Sequence, residues 1–199
     1  ELPRDMVDVV PSIAYTYHNP GPSSSEQALE EATDEALRLL NQCQRPMILA
    51  GVEVHRFGLQ DQLLQLAEAA QIPIAATILG KSVISEKHPL YVGLYEGAMG
   101  YEDVTRYVEE SDCLLMFGCF MTDLNLGIWT AELDPARCIS ATSEELRIRH
   151  HYYHDVQLPD FLRRLGEKKP SPPVRSITAG LGAKQLSYEL NADAPITIT

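Results

Sequence analysis

Three histidines within five positions, His150, His151 and His154, are the residue type that most readily suggests a metal site. On an extended segment His150 and His154 share one face and His151 lies on the other, so the three diverge. No cysteine or carboxylate motif stands close enough to complete a ligand set. Asp103, Glu109, Glu110 and Asp112 read as the solvated face of a helix rather than as paired catalytic carboxylates. Nucleophilic catalysis is commonly signalled by a serine on a G-x-S-x-G elbow, and no such elbow is present. Cys43, Cys113, Cys119 and Cys138 show no C-x-x-C spacing, and Cys113 and Cys138 fall inside apolar runs. They read as small buried hydrophobes kept reduced. The residues themselves thus assign no catalytic and no metal-binding position.

The turn most able to hold a phosphate is Gly51-Val52-Glu53-Val54-His55-Arg56-Phe57-Gly58, between an apolar strand and a helix. It is not a G-x-G-x-x-G cradle, and Glu53 near the helix start repels a pyrophosphate. The next strand ends in Ala75-Ala76-Thr77, with no acid placed to grip a ribose. No cofactor-binding position is assigned either.

The elements behind these residues are easier to read. Met47-Ile48-Leu49-Ala50 is apolar without alternation, as expected of a strand covered on both faces of a parallel sheet, and Pro46 fits its first position. Further strands are predicted at 72–77, 90–94, 112–118, 138–141 and 152–158. The first helix carries Leu29, Ala32, Ala36, Leu37, Leu40 and Cys43 on one face, capped by Ser23 or Ser24 with Glu26 or Gln27 as the return partner. Helices follow at 58–71 and around Val104–Val108. Thr142 and Glu145 fit a capping box for a single helical turn, and Pro159 opens a terminal helix with Phe161, Leu162 and Leu165 inward. Six strands alternating with helices predict a three-layer α/β/α domain with a doubly wound, Rossmann-like parallel sheet.

Proline and glycine divide the chain into an entering linker at 1–25, a domain at 26–167 and a leaving linker at 168–199. A formal net charge of −12 with no basic cluster argues against a nucleic-acid partner. No apolar run approaches the ~20 residues that cross a bilayer, and no signal-peptide pattern opens the chain, so a cytoplasmic location is the expectation. A first residue other than Met suggests a piece of a longer protein.

Thr77-Ile78-Leu79-Gly80-Lys81, followed by Glu86-Lys87-His88-Pro89-Leu90-Tyr91-Val92-Gly93, resembles the central domain of thiamine-diphosphate-dependent 2-oxo-acid decarboxylases. Val108-Glu109-Glu110-Ser111-Asp112 is similar to that family's V-E-x-[SA]-D segment, and Asp123-Leu124-Asn125-Leu126-Gly127 to its D-x-N-x-G loop. Ile148-Arg149 and Val156-Gln157 fall in step with the pyruvate and indolepyruvate branch, and Glu1-Leu2-Pro3-Arg4-Asp5 resembles the seam after the pyrimidine-binding domain.

The resemblance implies a six-stranded parallel sheet in a carbon–carbon lyase whose thiamine diphosphate and Mg²⁺ sit on two other domains. It also implies flanking domains of the same chain and a homo-oligomer, dimer or tetramer, as partners. The activating glutamate and the G-D-G…N metal-diphosphate motif do not occur in this sequence, so no catalytic residue carries over and the domain alone is expected to be inactive. Val52-Glu53-Val54 stands where some decarboxylases carry an activating cysteine. Stretches 93–97 and 119–123 lack the arginines of flavin-binding relatives, while ADP stays open as a ligand. The alternatives are an acetolactate synthase-like condensing enzyme and a free-standing nucleotide- or flavin-binding module.

Overall fold

The computed structural model describes residues 8–10 and 23–173. The seam at 1–5, most of the entering linker and the leaving linker beyond 173 lie outside the described residues. Helix α1 (Glu26–Gln42) leads to β1 (Pro46–Ala50), the short α2 (Val52–Arg56), α3 (Gln60–Ala70), β2 (Ile74–Thr77), β3 (Tyr91–Tyr95) and α4 (Glu102–Glu109). Next come β4 (Cys113–Phe117), β5 (Cys138–Ala141), β6 (Leu146–Ile148), β7 (His151–Tyr153) and α5 (Leu158–Glu167).

The strands form one sheet in the order β3-β2-β1-β4-β5-β6-β7. The α/β, Rossmann-like architecture holds, and β3, β2, β1, β4 and β5 run parallel. The predicted sheet of six parallel strands becomes seven strands among the described residues, because the chain reverses after β5 and adds β6 and β7 as antiparallel neighbours. Thr142 and Glu145 close a tight turn instead of starting a helix. The Thr142 amide donates to the Glu145 carbonyl (2.9 Å), and its hydroxyl accepts from the Glu144 and Glu145 amides (3.3 Å each). Ile148 then lies opposite Ile139. The strand expected at 152–158 moves to His151–Tyr153, and Leu158 already belongs to α5.

Every residue of β1, β2 and β4 is buried, which explains their unbroken apolar runs. On one face Ile48, Ala50, Leu115 and Phe117 pack with Leu29 and Ala36 of α1, Leu63 and Leu66 of α3, and Phe161 and Leu165 of α5. On the other, Met47, Leu49, Leu114 and Met116 pack with Val104 and Val108 of α4. Ser25, rather than Ser23 or Ser24, caps α1 by accepting from the Ala28 amide. Ser24 instead donates to Asp160 (2.7 Å) and accepts from the Gln157 amide (2.9 Å), fixing the start of α5. At the far end Lys168 reaches Glu30 (2.6 Å) and Asp34 (3.3 Å), and the Ser171 amide donates to Asn41 (2.9 Å), so the chain as far as Ser171 remains tied to α1.

Candidate functional site

In a doubly wound sheet the ligand crevice lies beyond the carboxyl ends of the two strands where the order reverses, here β1 and β4. Gly51 follows β1 and Gly118 follows β4, and their backbones touch. A Cβ on Gly51 would stand 2.1 Å from the Gly118 carbonyl oxygen. Gly118 adopts φ 63°, the left-handed region that favours glycine. The Gly51 amide donates to Phe117 (2.8 Å) and the Glu53 amide to the Gly118 carbonyl (3.2 Å), so these two donors are already used.

The side chain of Glu53, 1% exposed, is buried against Gly118 at this end of β4. It accepts from the Ser143 amide (2.9 Å) and from the Ser143 hydroxyl, bridging α2 to the β5–β6 turn. A phosphate would have to displace a buried, hydrogen-bonded carboxylate of its own sign. Cys119 is buried beside it and donates to the Leu49 carbonyl (3.2 Å). Burial, reinforced by the charge on Glu53, pushes the Cys119 thiol well above its usual range.

The loops after β2, β3 and β4 knit together at the same edge. Thr77 accepts from the Gly80 amide (3.1 Å), and Gly80 sits against the end of β1, where a Cβ would be 2.7 Å from the Ala50 carbonyl oxygen. Asn125, 2% exposed, accepts from the Leu79 amide (3.1 Å) and donates to the Phe120 carbonyl (2.7 Å). The T-x-x-G and D-x-N-x-G segments therefore meet through Asn125. Gly127 (φ 55°) passes close enough to the Glu96 carbonyl to leave no room for a side chain. The outer surface of these loops exposes Leu79, Met99, Tyr101, Met121, Leu124, Ile128 and Trp129.

The histidines do not converge. His151 lies 2.9 Å from Glu35, which also accepts from the Tyr153 hydroxyl (2.7 Å), and His154 stacks on Tyr152 with ring centroids 6.3 Å apart. Among the described residues no group of three His, Cys, Asp or Glu side chains is placed to hold a metal ion. The acidic run near α4 is only partly a solvated face. Asp103 pairs with Arg106, but Glu109 accepts from Tyr95 (2.8 Å) and from the Glu132 amide (3.0 Å), and Asp112 accepts from the Gln44 and Arg45 amides. Arg56, which sequence reasoning passed over, lies over the Phe120 ring at 5.5 Å beside the crevice. Nothing in its spacing announced that contact.

Residues 33–165 match the family described as thiamine pyrophosphate enzyme, central domain. The chain belongs to that family. Similar proteins include an indole-3-pyruvate decarboxylase of Azospirillum brasilense, 28% identical over 85% of this chain and 31% of the relative. A pyruvate decarboxylase of Hanseniaspora uvarum is 28% identical over 72% of this chain and 25% of its own length. Pyruvate decarboxylase isozyme 2 of Saccharomyces cerevisiae is 29% identical over 85% of this chain and 31% of its own. This central domain thus spans under a third of the length of these relatives. No described helix is long and apolar enough to cross a membrane.

Proposed function

We propose that this chain is the structural central domain of a thiamine-diphosphate-dependent 2-oxo-acid decarboxylase, and that it positions catalytic domains without supplying catalytic groups. The observation that carries the reading is Glu53, whose carboxylate is buried and bonded to Ser143 at the β1–β4 switch point, where a related fold would bind a nucleotide phosphate. The described residues do not fit thiamine diphosphate, because its diphosphate requires a metal ion held by oxygen ligands and no such cluster is present among them. In this reading the cofactor and Mg²⁺ are held by flanking domains. The decarboxylase names of the relatives support this chemistry over acetolactate-type condensation.

The apolar surface from Leu79 to Trp129 is the face that meets those domains or a second subunit of a homo-oligomer. Ile128 (φ 55°) and Trp129 (φ 63°) hold strained backbone while 65% and 68% exposed, as expected of side chains held out for a neighbour. Four buried, unpaired cysteines fit a reducing cytoplasm.

The test is carbon dioxide release from pyruvate, indolepyruvate and phenylpyruvate, with thiamine diphosphate and Mg²⁺ added. The full-length protein is expected to turn over at least one, and the 199-residue chain none. Turnover by the isolated chain overturns the reading. So does a rise in its stability of about 2.7 kcal/mol with FAD or NAD at a hundred times the dissociation constant.

A further inference from the structure

Beside the amino end of β4, far from the Glu53 crevice, Cys43 and Cys113 line one cavity of about 240 Å³ together with Asp112, Arg137 and Arg149. Cys43 ends α1 and its thiol donates to the Leu40 carbonyl (3.0 Å). Cys113 opens β4 opposite Pro46. The residues next to the two cysteines are clamped together, since Asp112 accepts from the Gln44 amide (2.7 Å) and the Arg45 amide (2.8 Å). Ser111 adds a further bond to the Arg45 carbonyl (2.8 Å). The corner that carries one thiol is thereby fixed against the strand that carries the other, with both cysteines on the wall of the same cavity.

We propose that Cys43 and Cys113 form a reversible dithiol–disulfide site, oxidised by a small hydroperoxide that enters this cavity. Cys43 is the attacking sulfur, because hydrogen bonding from Cys113 lowers its pKa, while the same contact and burial raise that of Cys113. The Cys43 thiolate attacks one peroxide oxygen. The O–O bond breaks, the departing oxygen leaves as water or alcohol after taking a proton, and Cys43 becomes a sulfenic acid. Cys113 then gives up its proton and its sulfur attacks the Cys43 sulfur. The S–O bond breaks, hydroxide leaves as water, and the disulfide remains. Two thiols have lost two electrons and the peroxide has gained them; a dithiol reductant reverses the change by exchange.

Cys119 and Cys138 provide internal controls. Neither lines this cavity, and burial raises both thiols, that of Cys138 to about 11.

The experiment treats the folded chain with hydrogen peroxide, alkylates the remaining thiols after denaturation, and maps the peptides by mass spectrometry before and after dithiothreitol. The expected result is loss of two of the four thiols as a single 43–113 disulfide, restored by reductant, with a higher melting temperature in the oxidised form. Cys113→Ser should stop at a Cys43 sulfenic acid that dimedone traps, and Cys43→Ser should leave Cys113 reduced over the same time. The mapping of the wild-type chain needs no variant to fold. A disulfide through Cys119 or Cys138, a link only between molecules, or four intact thiols after complete oxidation of a control cysteine peptide overturns the proposal.

Discussion

Asn125→Ala tests whether one buried amide joins the two loop segments at the carboxyl edge. The side chain satisfies the Leu79 N–H and the Phe120 carbonyl, and both bonds are partly buried. A buried polar group deprived of its partner costs about 1–3 kcal/mol, and partial burial places both groups at the low end, about 1 kcal/mol each. The volume left by a fully enclosed side chain adds about 1 kcal/mol. The expected loss is therefore about 2–4 kcal/mol, or a fall in Tm of roughly 5–15 °C for a chain of this size. Urea titration by circular dichroism measures it, and a faster hydrogen exchange of the Leu79 amide localises it. Asn125→Asp sharpens the test, because it keeps the acceptor for Leu79 but turns an oxygen toward the Phe120 carbonyl. That carboxyl is expected to titrate above the usual Asp range, so the variant regains stability as the pH falls through its folded pKa. A loss in Asn125→Ala below about 0.5 kcal/mol, or an Asn125→Asp variant as stable as the parent at pH 7, refutes the reasoning.

Gly118→Ala places a Cβ 2.6 Å from that of Glu53 at a positive φ, and should cost about 2–5 kcal/mol from left-handed strain and overpacking together; chemical denaturation measures it. Hydrogen bonding from Ser24, ahead of the smaller effect of Arg163, holds the Asp160 carboxyl below its usual range. Its contribution is full above the unfolded pKa of about 3.9 and is lost as the pH falls through the folded value. Ser24→Ala should therefore raise the Asp160 pKa in an NMR titration and flatten the acid limb of the stability curve. Ile128→Gly should not carry the usual penalty of about 0.5–1 kcal/mol for introducing glycine into ordered backbone, because relief at φ 55° offsets it; thermal melting decides.

The strands buried on both faces were legible because a parallel sheet leaves a chemical trace: unbroken apolar runs at Met47–Ala50 and at Cys113–Phe117, each ended by a glycine. The first βα turn was less so. The short α2 within 51–58 has too few residues to show a period, and the helix predicted at 58–71 is observed at Gln60–Ala70. The β5–β6 hairpin was not legible, because the S/T-x-x-E pattern that caps a helix also closes a turn. Its outcome rests on Ile139 meeting Ile148, a pairing without local signature. At the candidate site, Glu53 was visible in the turn after β1, but its burial was not foreseen, since Ser143 lies 90 positions away. The motifs at Gly80 and Asn125 were visible as a resemblance, and only the fold shows why glycine and asparagine are needed there.

The hairpin that lengthens the sheet also decides how the molecule meets others. Without it, β5 would stand at the border of the sheet with a row of unpaired amides, an open template for another strand. Instead β5 is covered, and the border passes to β7, only three residues long. Its His151 and Tyr153 side chains are anchored to Glu35 of α1. So short and tethered a margin gives an incoming strand little to register against. A second copy is therefore steered away from sheet-to-sheet growth, and the route to polymerisation that parallel sheets carry is narrowed on that side by the last two of the described strands.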